Sequence, residues 1–198
     1  MQYYALIGFK RQSDSNRTNL NLQRYQLLAL CGLNCGLCTM YIGRYCPGCG
    51  GGDGNQGCKI ARCGIEHDNV DYCFRCAEYP CQKYEHIDEN DSFITHRNQK
   101  ADLEKAKSIG IDAYNNEQKE KMEILDYLLM NFNDGRKMTL FCQTVNLLEL
   151  DALCELLSRL ELCPAAALKE KGKFAAEQIK EIAGKSGIGL TLRRKKTE

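Results

Sequence analysis

The 198-residue sequence lacks long apolar runs, and none of its apolar stretches approaches the ~20 consecutive residues that a bilayer-spanning helix needs. Its N-terminal region also lacks the long apolar stretch and small-residue cleavage site of a signal peptide, because Lys10, Arg11 and Asp14 follow a short apolar patch. These absences argue against a membrane protein and against an exported one. We therefore expect a cytoplasmic protein with no membrane partner.

Histidine is also scarce in this sequence. The three histidines are His67, His86 and His96, and all of them lie in or next to a cysteine-rich segment. A nucleophilic cysteine needs a base beside it in the fold, and no such pair can be assigned from these positions. The sequence therefore identifies no catalytic residue and favours binding over catalysis.

Cysteine, by contrast, is abundant: the chain holds 13, and ten of them fall between Cys31 and Cys81. A secreted disulfide scaffold is one explanation of such density. The missing export signal, the odd total and the spacing of the cysteines favour metal ligation in a reducing compartment instead. The segment also has few periodic apolar residues, so it needs a staple to offset its chain entropy.

The net charge of +1 is unevenly distributed along the chain. Residues 1–30 sum to +3, residues 31–95 to −4 and residues 96–198 to +2. Eight thiolates holding two divalent ions would add eight negative and four positive charges, which takes the middle segment to about −8. Because such a surface repels phosphate backbones, we expect no nucleic-acid partner, whereas an unidentified protein partner is compatible with it.

The clustered cysteines form an ordered series with the spacings C-x3-C-x2-C, C-x2-C, C-x4-C and C-x2-C-x4-C. The ten residues are Cys31, Cys35, Cys38, Cys46, Cys49, Cys58, Cys63, Cys73, Cys76 and Cys81. A C-x2-C turn places two sulfurs on one ion, and its backbone N–H groups point at the thiolates. All ten are therefore candidate metal ligands.

The first predicted site joins two C-x2-C pairs. The C-P-G-C-G motif at residues 46–50 fits a metal knuckle, since Pro47 presets φ and Gly48 permits the tight bend. The nearest upstream pair is the C-G-L-C motif at residues 35–38. We expect one ion to be held tetrahedrally by the four thiolates of Cys35, Cys38, Cys46 and Cys49.

The second predicted site joins the knuckle that ends at Cys76 to the upstream C-x4-C pair. Its four cysteines are Cys58, Cys63, Cys73 and Cys76. Two cysteines, Cys31 and Cys81, then remain. Either could replace one of these ligands, or the two could complete a third site together with His67 and His86.

The identity of the metal is less constrained, because four thiolates suit zinc and iron–sulfur clusters almost equally. Zinc is our first expectation, in structural sites that leave no open coordination position. The alternative is an iron–sulfur redox protein or an enzyme dependent on a 4Fe-4S cluster, since the triplet beginning at Cys31 locally resembles the motif of radical S-adenosylmethionine enzymes. Those enzymes need alternating strands and helices downstream, and this sequence predicts helices. A third reading is a thiol switch that releases its metal on oxidation.

Three segments follow from this composition. Residues 1–26 are rich in turn-forming residues and predict a poorly ordered leader. Residues 27–95 predict a small cysteine-rich, metal-stapled module, and residues 96–198 predict a helical domain. Together with a short C-terminal strand, these segments predict an α+β fold that is mainly α.

Apolar spacing places the predicted elements of the helical domain. Helices are predicted over 102–109, from Asn115 or Asn116 to Phe132, over 150–160 and over 174–183, whereas 138–148 is ambiguous. Ile188, Leu190 and Leu192 alternate with other residues and predict the strand.

Three cysteines, Cys142, Cys154 and Cys163, lie outside the cluster. Cys154 shares a helix face with leucines, and Cys142 follows Leu140 and Phe141, so both are interpreted as small buried hydrophobic residues. Cys163 precedes Pro164 and is expected to be exposed.

The cysteine series resembles an uncharacterised prokaryotic family of small, cysteine-rich, metal-binding proteins, classed as a domain of unknown function. The resemblance lies in the runs C-G-L-N-C-G-L-C at 31–38, C-P-G-C at 46–49, C-K-I-A-R-C at 58–63 and C-x2-C-x4-C at 73–81, with a weaker likeness at 133–137 and 145–148. The resemblance implies metal or cluster binding, with zinc first, and no established reaction.

Overall fold

The computed structural model describes residues 27–46, residue 48 and residues 58–195. The predicted leader at residues 1–26 lies outside these residues, as do Pro47 and Cys49 of the first knuckle. The first predicted metal site is therefore described only for Cys35, Cys38 and Cys46.

The described part of the chain is mainly helical, which confirms the coarser part of the fold prediction. Its α-helices are α1 (Thr39–Ile42), α2 (Lys59–Glu66), α3 (Gln99–Ile109), α4 (Ile111–Phe132), α5 (Met138–Leu147), α6 (Leu150–Glu161) and α7 (Leu168–Lys185). One-turn 3-10 helices lie at Cys35–Leu37, Cys73–Arg75 and Gln82–Tyr84. None of the helices in the described ranges is both long and apolar enough to cross a membrane.

The longest helix, α4, begins earlier than its apolar spacing predicts. The sequence favours a cap at Asn115 or Asn116, whereas α4 begins at Ile111, directly after Gly110. Gly110 has a φ of 88°, a left-handed conformation that glycine adopts without strain. This single residue ends α3 and begins α4, so a polar cap is not required.

The segment of ambiguous type at residues 138–148 forms helix α5. Before it, the side-chain oxygen of Asn133 accepts hydrogen bonds from the N–H groups of Gly135 and Lys137, at 3.1 and 3.0 Å, and turns the chain out of α4. Every residue of α5 from Phe141 to Leu147 is buried. A helix that is buried on all sides has no amphipathic period, which is why the sequence pattern did not identify it.

The larger core lies between α4, α5, α6 and α7. Leu128, Phe141, Leu156 and Ile179 are fully buried there, one from each helix. The leucine-rich face that predicted α6 therefore packs inward, as amphipathic spacing requires.

A second, smaller core joins the cysteine-rich segment to α3 and the start of α4. Leu28, Tyr72 and Tyr84 pack there with Leu103 of α3 and Tyr114 of α4. The packing is thus continuous across residue 95, and the proposed division into two domains at that position stays a prediction.

The predicted C-terminal strand is not found at residues 188–192, and the described residues contain no strand. In this segment the guanidinium of Arg97 donates hydrogen bonds to the carbonyl oxygens of Gly189 and Thr191. Further along, the backbone of Arg193 exchanges hydrogen bonds with Asp91. Because an arginine side chain occupies these two backbone acceptors, the segment is tied to the preceding loop without a partner strand.

Candidate metal centre

The second knuckle is a one-turn 3-10 helix that begins at Cys73. The N–H of Cys76 donates to the carbonyl of Cys73 at 3.0 Å, which closes the turn and brings the two cysteines to one side. The N–H of Cys73 donates in turn to the carbonyl of Leu30 at 2.9 Å. This bond connects the knuckle to the segment just before Cys31.

Two further cysteines approach the knuckle from separate elements. Cys63 lies on α2. This helix packs so closely against Leu30 that a Cβ at Gly64 would lie only 2.6 Å from Leu30 Cδ1. Cys81 precedes the 3-10 helix Gln82–Tyr84, and its carbonyl accepts the N–H of Tyr84 at 2.9 Å. Three elements therefore place cysteines in the same part of the structure: α2, the knuckle and a second turn.

These four cysteines line one cavity of about 20 Å³, and all four are thiols outside any disulfide. The other polar side chains that line it are His67, Lys83, Tyr79 and Tyr84. Such a volume holds about one water-sized species, since a water needs roughly 10–15 Å³ measured in this way. The cavity is therefore suited to a single ion.

The electrostatics of the cavity disfavour several thiolates in the absence of a cation. Burial first, and then the neighbouring sulfurs of Cys81, Cys63 and Cys76, raise the pKa of Cys73 to about 11. The Tyr84 hydroxyl lies in hydrogen-bond contact with the Cys73 sulfur and partly offsets this effect. A divalent cation would reverse the balance, because it turns mutual repulsion into shared attraction.

His67 is placed to orient Cys63. Its Nδ1 lies 2.9 Å from the Cys63 carbonyl oxygen and 3.5 Å from the sulfur, while Nε2 lies 3.5 Å from a Glu78 carboxylate oxygen. The hydrogen bond to the Cys63 carbonyl, followed by the one to Glu78, raises the pKa of His67. With both ring nitrogens engaged in this way, His67 has the geometry of an outer partner to a ligand.

Lys83 places a positive charge beside the same cysteine. Its ammonium hydrogen-bonds the Cys63 sulfur, and this contact is the largest cause that raises the pKa of Lys83. The spacing of the cysteines did not identify Lys83 as part of the site.

His86, the other histidine considered as a ligand, lies 2.5 Å from Glu89 at an exposed position and does not line the cavity.

The first predicted site is described only in part. The sulfur of Cys38 accepts backbone N–H groups from Met40 and Tyr41 and lies within electrostatic range of Cys46. Burial is the main cause that raises the pKa of Cys38. Cys35, which the spacing assigns to the same ion, packs against the smaller core.

The remaining candidate ligands lie at the edges of these two groups. Cys31 is buried in the smaller core, where its carbonyl accepts hydrogen bonds from Tyr84 at 3.2 Å and from Gln99 at 2.9 Å. Cys58 directly precedes α2 and does not line the cavity. The fourth cysteine of the cavity is therefore Cys81, whereas the sequence spacing predicted Cys58 in that place.

A buried polar network that the sequence did not reveal supports the cysteine-rich segment. Asn34 donates to a carboxylate oxygen of Asp102 at 2.9 Å and accepts the hydroxyl hydrogen of Tyr114 at 3.0 Å. Burial raises the pKa of Asp102 to about 6. Nothing in the local sequence distinguishes Asp102 from the solvated carboxylates around it, so only the fold identifies this network.

Among the described residues, no group of three or more histidine, cysteine or acidic side chains forms a ready metal-coordination shell. The four thiols share a cavity, and an ion would have to draw their sulfurs to about 2.3 Å. Comparisons of the chain with protein-family models, with curated proteins and with solved structures find no match. The family resemblance seen in the sequence therefore stays a prediction.

Proposed function

We propose that this protein binds a divalent metal ion, zinc before others, through the thiolates of Cys63, Cys73, Cys76 and Cys81. The observation that carries the proposal is the convergence of these four thiols, from three separate elements, on one cavity. Thiolates are soft ligands that select zinc or iron–sulfur clusters over magnesium and calcium.

The size of the cavity supports a single ion over a cluster. About 20 Å³ accommodates one atom-sized species, whereas a 4Fe-4S cluster brings eight atoms into the same space. The cluster remains the second candidate because the chain carries more cysteines than this one site uses. Metal analysis separates the two.

The role that we propose for the bound ion is structural. Four thiolates fill the tetrahedral shell of zinc and leave no position for a substrate, so the ion would staple the segment at 27–95. Structural zinc contributes roughly 10–16 kcal/mol to folding in zinc-finger peptides. That contribution suits a segment whose own core is small.

This architecture supports a binding module rather than an enzyme. Residues 31–95 carry five basic and nine acidic residues, which favours a protein partner over nucleic acid. A site of four thiolates requires reduced cysteines, so the proposal places the protein in a reducing compartment such as the cytoplasm.

The test is metal analysis of the full chain, purified without oxygen, beside two variants. We expect a colourless protein containing zinc, and we expect Cys76→Ser to lose one equivalent. The matched control is Cys154→Ser on α6, which should keep the full content. A brown protein containing iron and sulfide would overturn the zinc assignment, and full metal content in Cys76→Ser would overturn the site.

A further inference from the structure

The segment that follows α7, at residues 186–195, lies on the surface in the manner of a bound peptide. It forms neither a helix nor a strand, and each of its residues keeps part of its surface exposed. Ile188 and Leu190 pack against the larger core from the outside and are only partly buried. The position of the segment therefore depends on the polar groups that hold it.

Asp91 holds one residue of this segment by both of its backbone groups. The Asp91 N–H donates to the carbonyl of Arg193 at 2.8 Å, and its carboxylate accepts the N–H of Arg193 at 2.7 Å. The Asp91 side chain is fully buried, and the N–H of His96 donates to the same carboxylate at 2.8 Å, which fixes its orientation. Paired backbone bonds of this kind are typical of sites that bind extended peptides.

The side chain of Arg193 is bound at the same place. Its guanidinium donates to the carbonyl of Asp88, and it lies 3.4 Å from a carboxylate oxygen of Asp91. Because a guanidinium presents several donors in a fixed planar fork, two acceptors placed in this way favour arginine over lysine. The site therefore recognises an arginine as well as an extended backbone.

Arg97 holds the earlier part of the segment. Its guanidinium donates to the carbonyl oxygens of Gly189 and Thr191, and it lies 3.7 Å from the Asp91 carboxylate. Backbone carbonyls are present whatever the side chains are, so these contacts place little demand on the sequence of the bound segment.

The charges of the two partners are complementary. Residues 85–91 carry four acidic side chains and no lysine or arginine, whereas residues 193–196 are all basic. Such an arrangement attracts basic segments and excludes acidic ones.

We propose that the loop at residues 88–97 is a binding site for an extended, arginine-bearing segment of a partner protein, and that residues 186–195 occupy it as an internal competitor. The partner segment would carry apolar residues at the positions of Ile188 and Leu190 and an arginine at that of Arg193. The internal segment lowers the apparent affinity for the partner, because only the fraction of molecules with an open site can bind. The site shares no residue with the Cys63–Cys81 cavity, so the inference stands apart from the proposed metal binding.

Hydrogen exchange of the full chain tests whether the internal segment detaches. The Asp91 N–H is protected by its bond to Arg193, whereas Leu128 is fully buried in α4. A surface segment should open locally without global unfolding, so we expect the protection factor of the Asp91 amide to be at least tenfold below that of the Leu128 amide. Equal protection of the two amides would mean that the segment leaves only when the protein unfolds, and it would overturn the proposal.

A fluorescent synthetic peptide with the sequence of residues 186–195 is the probe for binding by the full chain. Arg193→Pro removes both the N–H that Asp91 accepts and the guanidinium, so it weakens the internal segment. The matched control is Lys195→Pro, an exposed change two residues further along. We expect Arg193→Pro to bind the peptide at least tenfold more tightly than the wild-type protein or the control. Equal affinities in all three proteins, or no saturable binding by Arg193→Pro, would overturn the proposal.

A second peptide, in which alanine replaces the arginine of position 193, tests the recognition of that side chain. It should bind Arg193→Pro at least tenfold more weakly than the first peptide. Equal binding of the two peptides would overturn the arginine site.

Sedimentation of the wild-type protein distinguishes a partner protein from a second copy of this chain. We expect a monomer at all concentrations. A wild-type dimer that Arg193→Pro abolishes would place the segment on a neighbouring copy and overturn its role as an internal competitor.

Discussion

Gly32 lies so close to Leu103 that a Cβ at position 32 would be 2.7 Å from the leucine Cγ. The same Cβ would lie 2.4 Å from the carbonyl oxygen of Gln99, and Gly32 has a φ of 93°. A glycine at this position therefore serves two purposes. It permits a left-handed turn, and it lets the segment that begins with Cys31 pack directly on α3.

We predict that Gly32→Ala destabilises the protein by about 3 kcal/mol or more, because it adds a backbone clash to the cost of a positive φ. Gly110→Ala is the matched control, since Gly110 has a similar φ of 88° and open space around it. The control should lose only about 1–2 kcal/mol. Urea unfolding measures both, and equal losses would contradict the packing role of Gly32.

A second pair of glycines on α7 gives effects of opposite sign. A Cβ at Gly172 would lie 2.8 Å from the carbonyl oxygen of Phe132, whereas nothing lies within 4 Å at Gly184. We expect Gly172→Ala to destabilise by about 1–3 kcal/mol. Gly184→Ala should stabilise by roughly 0.5–1 kcal/mol through helix propensity, and thermal unfolding should show the two midpoints moving apart. Midpoints that move together would contradict this description of α7.

The stability of the protein should carry a pH-dependent contribution from Asp102. Burial raises the pKa of Asp102 from 3.8 to about 6, so the folded state binds its proton more tightly than the unfolded state does. Ionisation therefore favours unfolding. The contribution is most favourable below about pH 4 and is lost as pH rises through about 6, on the order of 3 kcal/mol in total.

Asp102→Asn removes this titration and isolates its effect. As pH rises from 5 to 7.5, the free energy of unfolding of Asp102→Asn should increase relative to that of the wild-type protein. Urea unfolding at each pH measures this difference. Asp151→Asn, at an exposed position on α6, controls for the change in net charge. A difference between Asp102→Asn and wild type that does not vary with pH would be inconsistent with a raised carboxyl pKa.

Lys83 gives a prediction that depends on the proposed zinc site. Lys83→Met removes the ammonium that hydrogen-bonds the Cys63 sulfur, and the loss of such outer partners typically weakens metal affinity by about tenfold or more. Lys59→Met, an exposed change at the start of α2, should leave the affinity unchanged. Competition with a zinc chelator measures both. If the two variants bind zinc equally, Lys83 has no role at the site.

Much of the helical part could be predicted, because amphipathic spacing is a local property. The leucine face of α6 and the apolar positions of α4 follow from residues three and four apart. Helix α5 could not be identified, since burial on all sides removes the period. The strand at residues 188–192 was expected from alternation alone, and the two carbonyls that would need a partner strand accept hydrogen bonds from Arg97 instead.

The candidate site, like the fold, could be predicted from the sequence only in part. Spacing singled out Cys73 and Cys76 as a turn, because a C-x2-C motif is closed by one local hydrogen bond between their backbones. Which other cysteines join the turn depends on how α2 and the following loop pack, and no spacing encodes that. The cavity contains Cys81 where the sequence suggested Cys58.

The sequence by itself determined that this chain is rich in thiols, helical towards its C-terminus and without a long apolar run, since these are properties of composition and short-range order. Only the tertiary structure decided which thiols meet. Packing against Leu30 positions α2 and the knuckle, and the amide of Asn146, which lies 109 residues from Leu37 in the sequence, joins the carbonyls of Leu37 and Cys142. The physical reason is that a metal site is a contact between elements distant in sequence, and such contacts are set by how buried surfaces fit together.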